Sequence, residues 1–76
     1  MSDINYALME RIRSLCAKRR ITTGELVKLS GVNQATVYEI AGGRSKHPSI
    51  KTIAMIANAF DMNLMEFFND PLFLNT

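Results

Sequence analysis

The stretch Thr22-Thr23-Gly24-Glu25-Leu26-Val27-Lys28-Leu29-Ser30-Gly31-Val32-Asn33-Gln34-Ala35-Thr36-Val37-Tyr38-Glu39-Ile40 decides the fold. It opens as a capping box: the Thr22 hydroxyl accepts from the Glu25 amide and the Glu25 carboxylate accepts from the Thr22 amide. A helix starts there and ends before Gly31, whose missing Cβ lets the backbone take a left-handed turn. Only Val32 separates that glycine from Asn33, a good N-cap, after which Val37 and Ile40 form the apolar stripe of another short helix. Two short helices joined by so few residues meet at a steep angle. Val27 lies where they cross, and anchoring Val37 and Ile40 inward makes the opposite face project.

Working outward, Leu8, Ile12, Leu15 and Cys16 follow the i, i+4, i+7, i+8 spacing of one helical face. Arg11, Arg13, Lys18 and Arg19 fall mostly on the other, giving a first helix over residues 5–19. Gly42-Gly43 closes the third helix, and Arg44-Ser45-Lys46-His47-Pro48 reads as an exposed basic loop. Ser49 caps a fourth helix with Ile50, Ile53, Ala54, Ala57 and Phe60 on one face. Asn63 and Glu66 form a last capping box, Leu64, Phe67 and Phe68 bury a fifth helix, and Pro71 stops it. No alternation long enough for a strand occurs, so the fold expected is all-α with five helices. The domain is expected over residues 1–70, with 71–76 as a tail.

A chain of 76 residues holds one modest core. Its net charge of +2 conceals a segregation. All nine Lys and Arg residues lie between positions 11 and 51 with only Glu25 and Glu39 against them, a surplus of seven, while Asp61, Glu66 and Asp70 follow Lys51. Such a basic portion points to a polyanionic partner, nucleic acid first, the bland reading being a solvated surface with chance clustering. Cys16 is the only cysteine, which excludes an internal disulfide and a thiol-built zinc site, and it reads as a core residue. An enzyme has little support: His47 is the only histidine and sits in a loop, no metal-ligand spacing or glycine-rich phosphate loop is present, and no cofactor or small-molecule substrate is expected. No segment reaches the ~18 consecutive apolar residues of a membrane span, and Met1-Ser2-Asp3-Ile4-Asn5 lacks a basic signal-peptide start, so a cytoplasmic protein is expected.

Arg11-Ile12-Arg13, Leu15, Ile21-Thr22, Glu25-Leu26, Gly31-Val32, Thr36-Val37, Ile40, Gly43-Arg44, Pro48-Ser49-Ile50 and Leu64 through Phe68 resemble the lambda-repressor-like, Xre/Cro family of helix-turn-helix DNA-binding domains, over residues 9 to 68. The resemblance implies that the third helix enters the major groove, that the start of the second touches phosphates, and that the loop after the third holds the DNA backbone. It also implies a transcriptional regulator, a repressor in the usual case, associated with the nucleoid through DNA. Two departures stand out: Cys16 and Ala41 occupy positions where the family usually has an Arg–Glu salt bridge. Losing both together avoids an unpaired buried charge, and Cys16 is expected to pack near Ala41.

Within that frame Gln34 is the foremost base reader, because its amide donates and accepts at once and matches the N6/N7 edge of adenine. Ala35, Thr36 and Tyr38 complete the base-reading set, suited to a thymine methyl, a base edge or a phosphate; Gln34 and Thr36 read equally as plain solvated helix residues. Glu39 is repelled by phosphates, which favours a structural or discriminating role. Thr23, Asn33, Arg44, Lys46 and His47 are assigned to phosphate. Lys18, Arg19 and Arg20 serve either DNA or solubility. One small domain buries limited surface, so a homodimer on a near-palindromic operator is expected, joined around helix five and Pro71-Leu72-Phe73-Leu74. The alternative for the tail is that Leu72 and Phe73 fold back on helix one or four, over Tyr6 and Met9. The rival function is a protein-interaction module, such as an antitoxin or adaptor with the same fold.

Overall fold

A computed structural model describes residues 3–45 and 47–74. Five α-helices run in the order α1 (Ile4–Arg19), α2 (Thr23–Ser30), α3 (Gln34–Ala41), α4 (Ile50–Ala59) and α5 (Leu64–Phe68), followed by a 3-10 turn at Pro71–Phe73. Every start is fixed by a side chain that accepts from an otherwise orphaned amide. Asp3 caps α1, one residue earlier than the apolar spacing indicated. Thr22 and Asn63 form complete capping boxes with Glu25 and Glu66, while Asn33 and Ser49 cap α3 and α4. Gly31 ends α2 at φ +72°, the left-handed conformation expected of it. Pro71 does more than stop a helix. It opens the 3-10 turn, capped by Asp70, because a residue at a first helical position loses nothing by lacking an N–H.

The core joins all five helices through Leu8, Ile12, Leu15, Leu26, Val37, Ile40, Ile53, Ile56, Phe60 and Phe67, all essentially buried. Cys16 and Ala41 lie in the same cluster, and burial raises the Cys16 thiol pKa above its ordinary 9.0. Ile50 departs from its expected face: as the first residue of α4 it sits above the core and is 64% exposed. Among the described residues no helix is long and apolar enough to cross a membrane.

Arg11 is a correction. Its charge placed it on the solvent face of α1, yet it is buried at 9% exposure. Its Nε donates to the Phe67 carbonyl at 2.8 Å, Nη2 to the Glu66 carbonyl at 3.0 Å, and Nη1 to the Asp70 carboxylate at 3.1 Å. A helix of five residues cannot stand alone in water, and of its last carbonyls Glu66 and Phe68 accept from the amides of Asn69 and Asp70 while Phe67 depends on Arg11. The capping box closes one end of α5 and the Arg11 guanidinium closes the other. The same cation holds Asp70, whose other oxygen accepts from the Leu72 amide, so the tail turn is laid against α1. Phe73 packs on the core beside Phe67 and Phe68, whereas Leu74 is 80% exposed. Of the two courses open to Leu72 and Phe73, the described residues follow the one that folds back.

Arg11→Met keeps the apolar stem but strands the Phe67 carbonyl and a half-buried carboxylate and removes one of the two donors to Glu66. It is expected to cost about 3 kcal/mol, a large share of the stability of so small a domain. Urea denaturation checks this, with Asp70→Asn, which leaves both carbonyl contacts in place, expected to cost about 1 kcal/mol.

Candidate nucleic-acid interface

The geometry of α3 follows from which residues it hides. Val37 and Ile40 are 0% and 1% exposed and Ala41 is buried with them. Gln34, Ala35, Tyr38 and Glu39 are exposed as a consequence of that anchoring, and Thr36 is half-buried at the edge of the stripe. Asn33 is exposed too, but its carboxamide oxygen already accepts from the Ala35 and Thr36 amides. Its carboxamide nitrogen remains as a donor on the exposed side.

Tyr38 reaches back toward α2. A Cβ built on Gly24 would stand 3.6 Å from the Tyr38 hydroxyl, so the phenol lies over the first turn of α2. The structure thereby brings together Thr23, half-buried at the α2 start, and the exposed edge of α3. The first-turn amides of α2 and the positive end of its dipole are favourable to an anion near that point.

After α3 the chain turns back on itself. The Glu39 carbonyl accepts from the amides of Arg44 and Ser45 at 2.8 and 3.2 Å, and Gly43 takes φ +75°. The exposed Arg44 side chain lies across Gly42, where a Cβ would come within 2.7 Å of Nη1. Its guanidinium therefore lies at the end of α3. Lys46 falls outside the described residues. His47 is exposed but stands in a different setting, lining a shallow groove with Ile4, Asn5, Leu8, Pro48, Ile50, Ile53 and Phe68.

The arginines of α1 divide by the same contacts. Arg19 donates to the Phe60 carbonyl at 2.6 Å and stands 3.8 Å from Asp61, tying the C-terminal ends of α1 and α4. Arg13 donates to the Ala41 carbonyl at 2.9 Å. With Arg11, three of the eight Lys and Arg residues among the described residues are engaged with backbone carbonyls, which charge counting along the chain does not reveal. A signal for Arg11 was present, since it follows Leu8 at i+3 and completes the stripe Leu8, Arg11, Ile12, Leu15.

The family model of the Cro/C1-type HTH DNA-binding domain matches residues 11–71 of the chain. No curated protein and no solved structure matches it. The stretch matched includes both faces of the α2–α3 pair and the loop behind it.

The turn that closes α3 rests on Gly43, where a side chain meets both a left-handed backbone and Met9, whose sulfur would stand 3.0 Å from the new Cβ. Gly43→Ala is expected to lose about 1–2 kcal/mol of stability by urea denaturation. Gly42→Ala, at an ordinary φ of −92°, is expected to lose less while displacing the Arg44 side chain.

Proposed function

Since the chain belongs to the Cro/C1-type helix-turn-helix family of DNA-binding domains, we propose that it is a transcriptional repressor that reads a specific duplex by laying α3 in the major groove. The observation that carries this reading is the exposure of Gln34, Ala35 and Tyr38 on the side of α3 opposite the buried Val37 and Ile40. A major groove about 12 Å wide accepts one helix presented in this way.

Gln34 stands at the first turn of α3, where a recognition helix meets base edges, and its amide fits adenine bidentately. Ala35 and Thr36 offer methyl groups to thymine. Tyr38 has part of its surface committed to α2, so it serves base edge or phosphate from a fixed position. Thr23, Asn33, Arg44, Lys46 and His47 are the phosphate contacts of this reading, supplying affinity and register without sequence information. His47 has the weakest support among them, given its place in the groove beside Ile50.

Two copies act together in this reading. Half-sites one helical turn apart lie about 34 Å from centre to centre, and the longest dimension of the chain is 33 Å. Neighbouring copies on successive grooves would touch with that dimension set along the duplex, the other two being 22 and 21 Å. Apolar surface is available for that contact: Met65 and Leu74 are 82% and 80% exposed near α5 and the tail turn. The residues 1–70 then form the DNA-binding unit, and of the tail 71–76 the exposed Leu74 contributes to the pairing while Phe73 stays on its own core, in the cytoplasm at the nucleoid. The role is regulatory, with no catalytic step and no cofactor.

Selecting bound sites from a random duplex pool tests this directly. The expected motif has two-fold symmetry with half-sites about one turn apart, and Gln34→Ala relaxes one position in each half by roughly 1–3 kcal/mol of discrimination. A pool that never enriches would move the chain to the class of protein-interaction modules. An unchanged motif with Gln34→Ala would remove the base-reading role from that residue alone.

A further inference from the structure

An α-helix leaves its last four carbonyls without intrahelical donors. In α3 these belong to Tyr38, Glu39, Ile40 and Ala41, and all four are satisfied. The amide of Gly42 donates to Tyr38 at 2.9 Å, that of Gly43 to Ile40 at 3.1 Å, and those of Arg44 and Ser45 to Glu39. Among the described residues the fourth, Ala41, accepts from no loop amide but from Arg13 Nε on α1, at 2.9 Å. The last turn of α3 contains no basic residue, so the cation that complements the negative end of its dipole comes from another helix.

We propose that Arg13 is a positioning residue for the DNA-reading helix, fixing the C-terminal end of α3 against α1. The proposal rests on the reading that α3 meets DNA. Cys16 and Ala41 are both buried in the core shared by α1 and α3 and neither carries a charge that could join the two helices. Arg13 lies three residues before Cys16, on the neighbouring turn of the same helix, and its bond ends on the backbone of that same Ala41. Met9 adds a second hold one turn earlier, its sulfur packed over Gly43. The two contacts grip the turn from one side, and Val37 and Ile40 hold the helix from within.

The bond is spent within the protein, which separates it from a phosphate contact. A phosphate contact supplies charge to any duplex and contributes to the salt dependence of binding, by about 0.9 in the slope of log affinity against log salt. A positioning bond acts only where α3 must be aligned to read bases. Arg13→Lys keeps the charge but not the planar Nε–H donor, and Arg13→Met keeps only the stem.

The full chain, with Arg13→Lys, Arg13→Met and, as a phosphate reference, Arg44→Ala, is titrated against its selected duplex and a random duplex over a range of salt, well below each variant's melting temperature. Both Arg13 variants are expected to bind the selected duplex about tenfold more weakly, with affinity for the random duplex and the salt slope unchanged. Arg44→Ala is expected to weaken both and lower the slope by about 0.9. Parallel losses on both duplexes with a lowered slope for Arg13→Met would make Arg13 a phosphate contact and overturn the proposal. Wild-type binding by Arg13→Lys would reduce its role to charge, and wild-type binding by both variants would reduce it to stability; either result overturns the proposal while leaving α3 as the reader. A wild type that does not distinguish the two duplexes fails the reading of α3 itself, and the proposal with it.

Discussion

Val37 and Ile40 are one turn apart on a helix of only eight residues, too short to persist by itself in water. Burying each is worth roughly 1.5–3 kcal/mol, and this apolar contact is what makes α3 a helix in a fixed orientation. Leu26 from α2, Ile12 and Leu15 from α1, and Ile53 and Ile56 from α4 belong to the cluster that receives them. The outward presentation of Gln34, Ala35 and Tyr38 is the geometric complement of that burial. Function here depends on packing: were the stripe to turn by one residue, the exposed set would change with it.

Around this core the ends of the helices are closed by two kinds of interaction. The starts are closed locally, by Asp3, Thr22, Asn33, Ser49 and Asn63, each reaching an amide two or three residues ahead. Three of the ends are closed from a distance, by arginines of α1: Arg13 on α3, Arg19 on the carbonyl after α4, and Arg11 on α5. Helix α1 thus acts as a spine whose guanidinium groups hold the C-terminal ends of three other helices. Each of these cations is favourably placed with respect to the helix dipole it meets, and each still contributes to the positive field of the molecule.

That division explains what the chain discloses when read as letters. The capping boxes, the turn at Gly31, the caps Asn33 and Ser49 and the inward positions of α3 were all legible, because each depends on residues within a few places of one another. The roles of Arg11, Arg13 and Arg19 were not, because their partners are backbone carbonyls 28 to 56 residues away, which carry no residue identity to be recognised. Charge alone assigned all three to solvent or DNA. Ile50 misled in the opposite sense, being apolar and in phase with α4 but placed at a helix start that overhangs the core. At the candidate interface, the exposed face of α3 could be derived from its buried one, whereas the reach of Tyr38 to α2 and of Arg44 across Gly42 required coordinates.

The central claim is that the outward side of α3, with the start of α2 and the turn behind it, is the surface that meets DNA. Mapping amide chemical shifts by NMR as duplex is added tests it most directly. The account predicts that the perturbed amides cluster at Thr23 and Gly24, at Asn33 to Glu39, and at Gly43 to Ser45. Perturbation confined to Met65 through Leu74 and the groove lined by Ile4 and Ile50, with α3 unmoved, would contradict it.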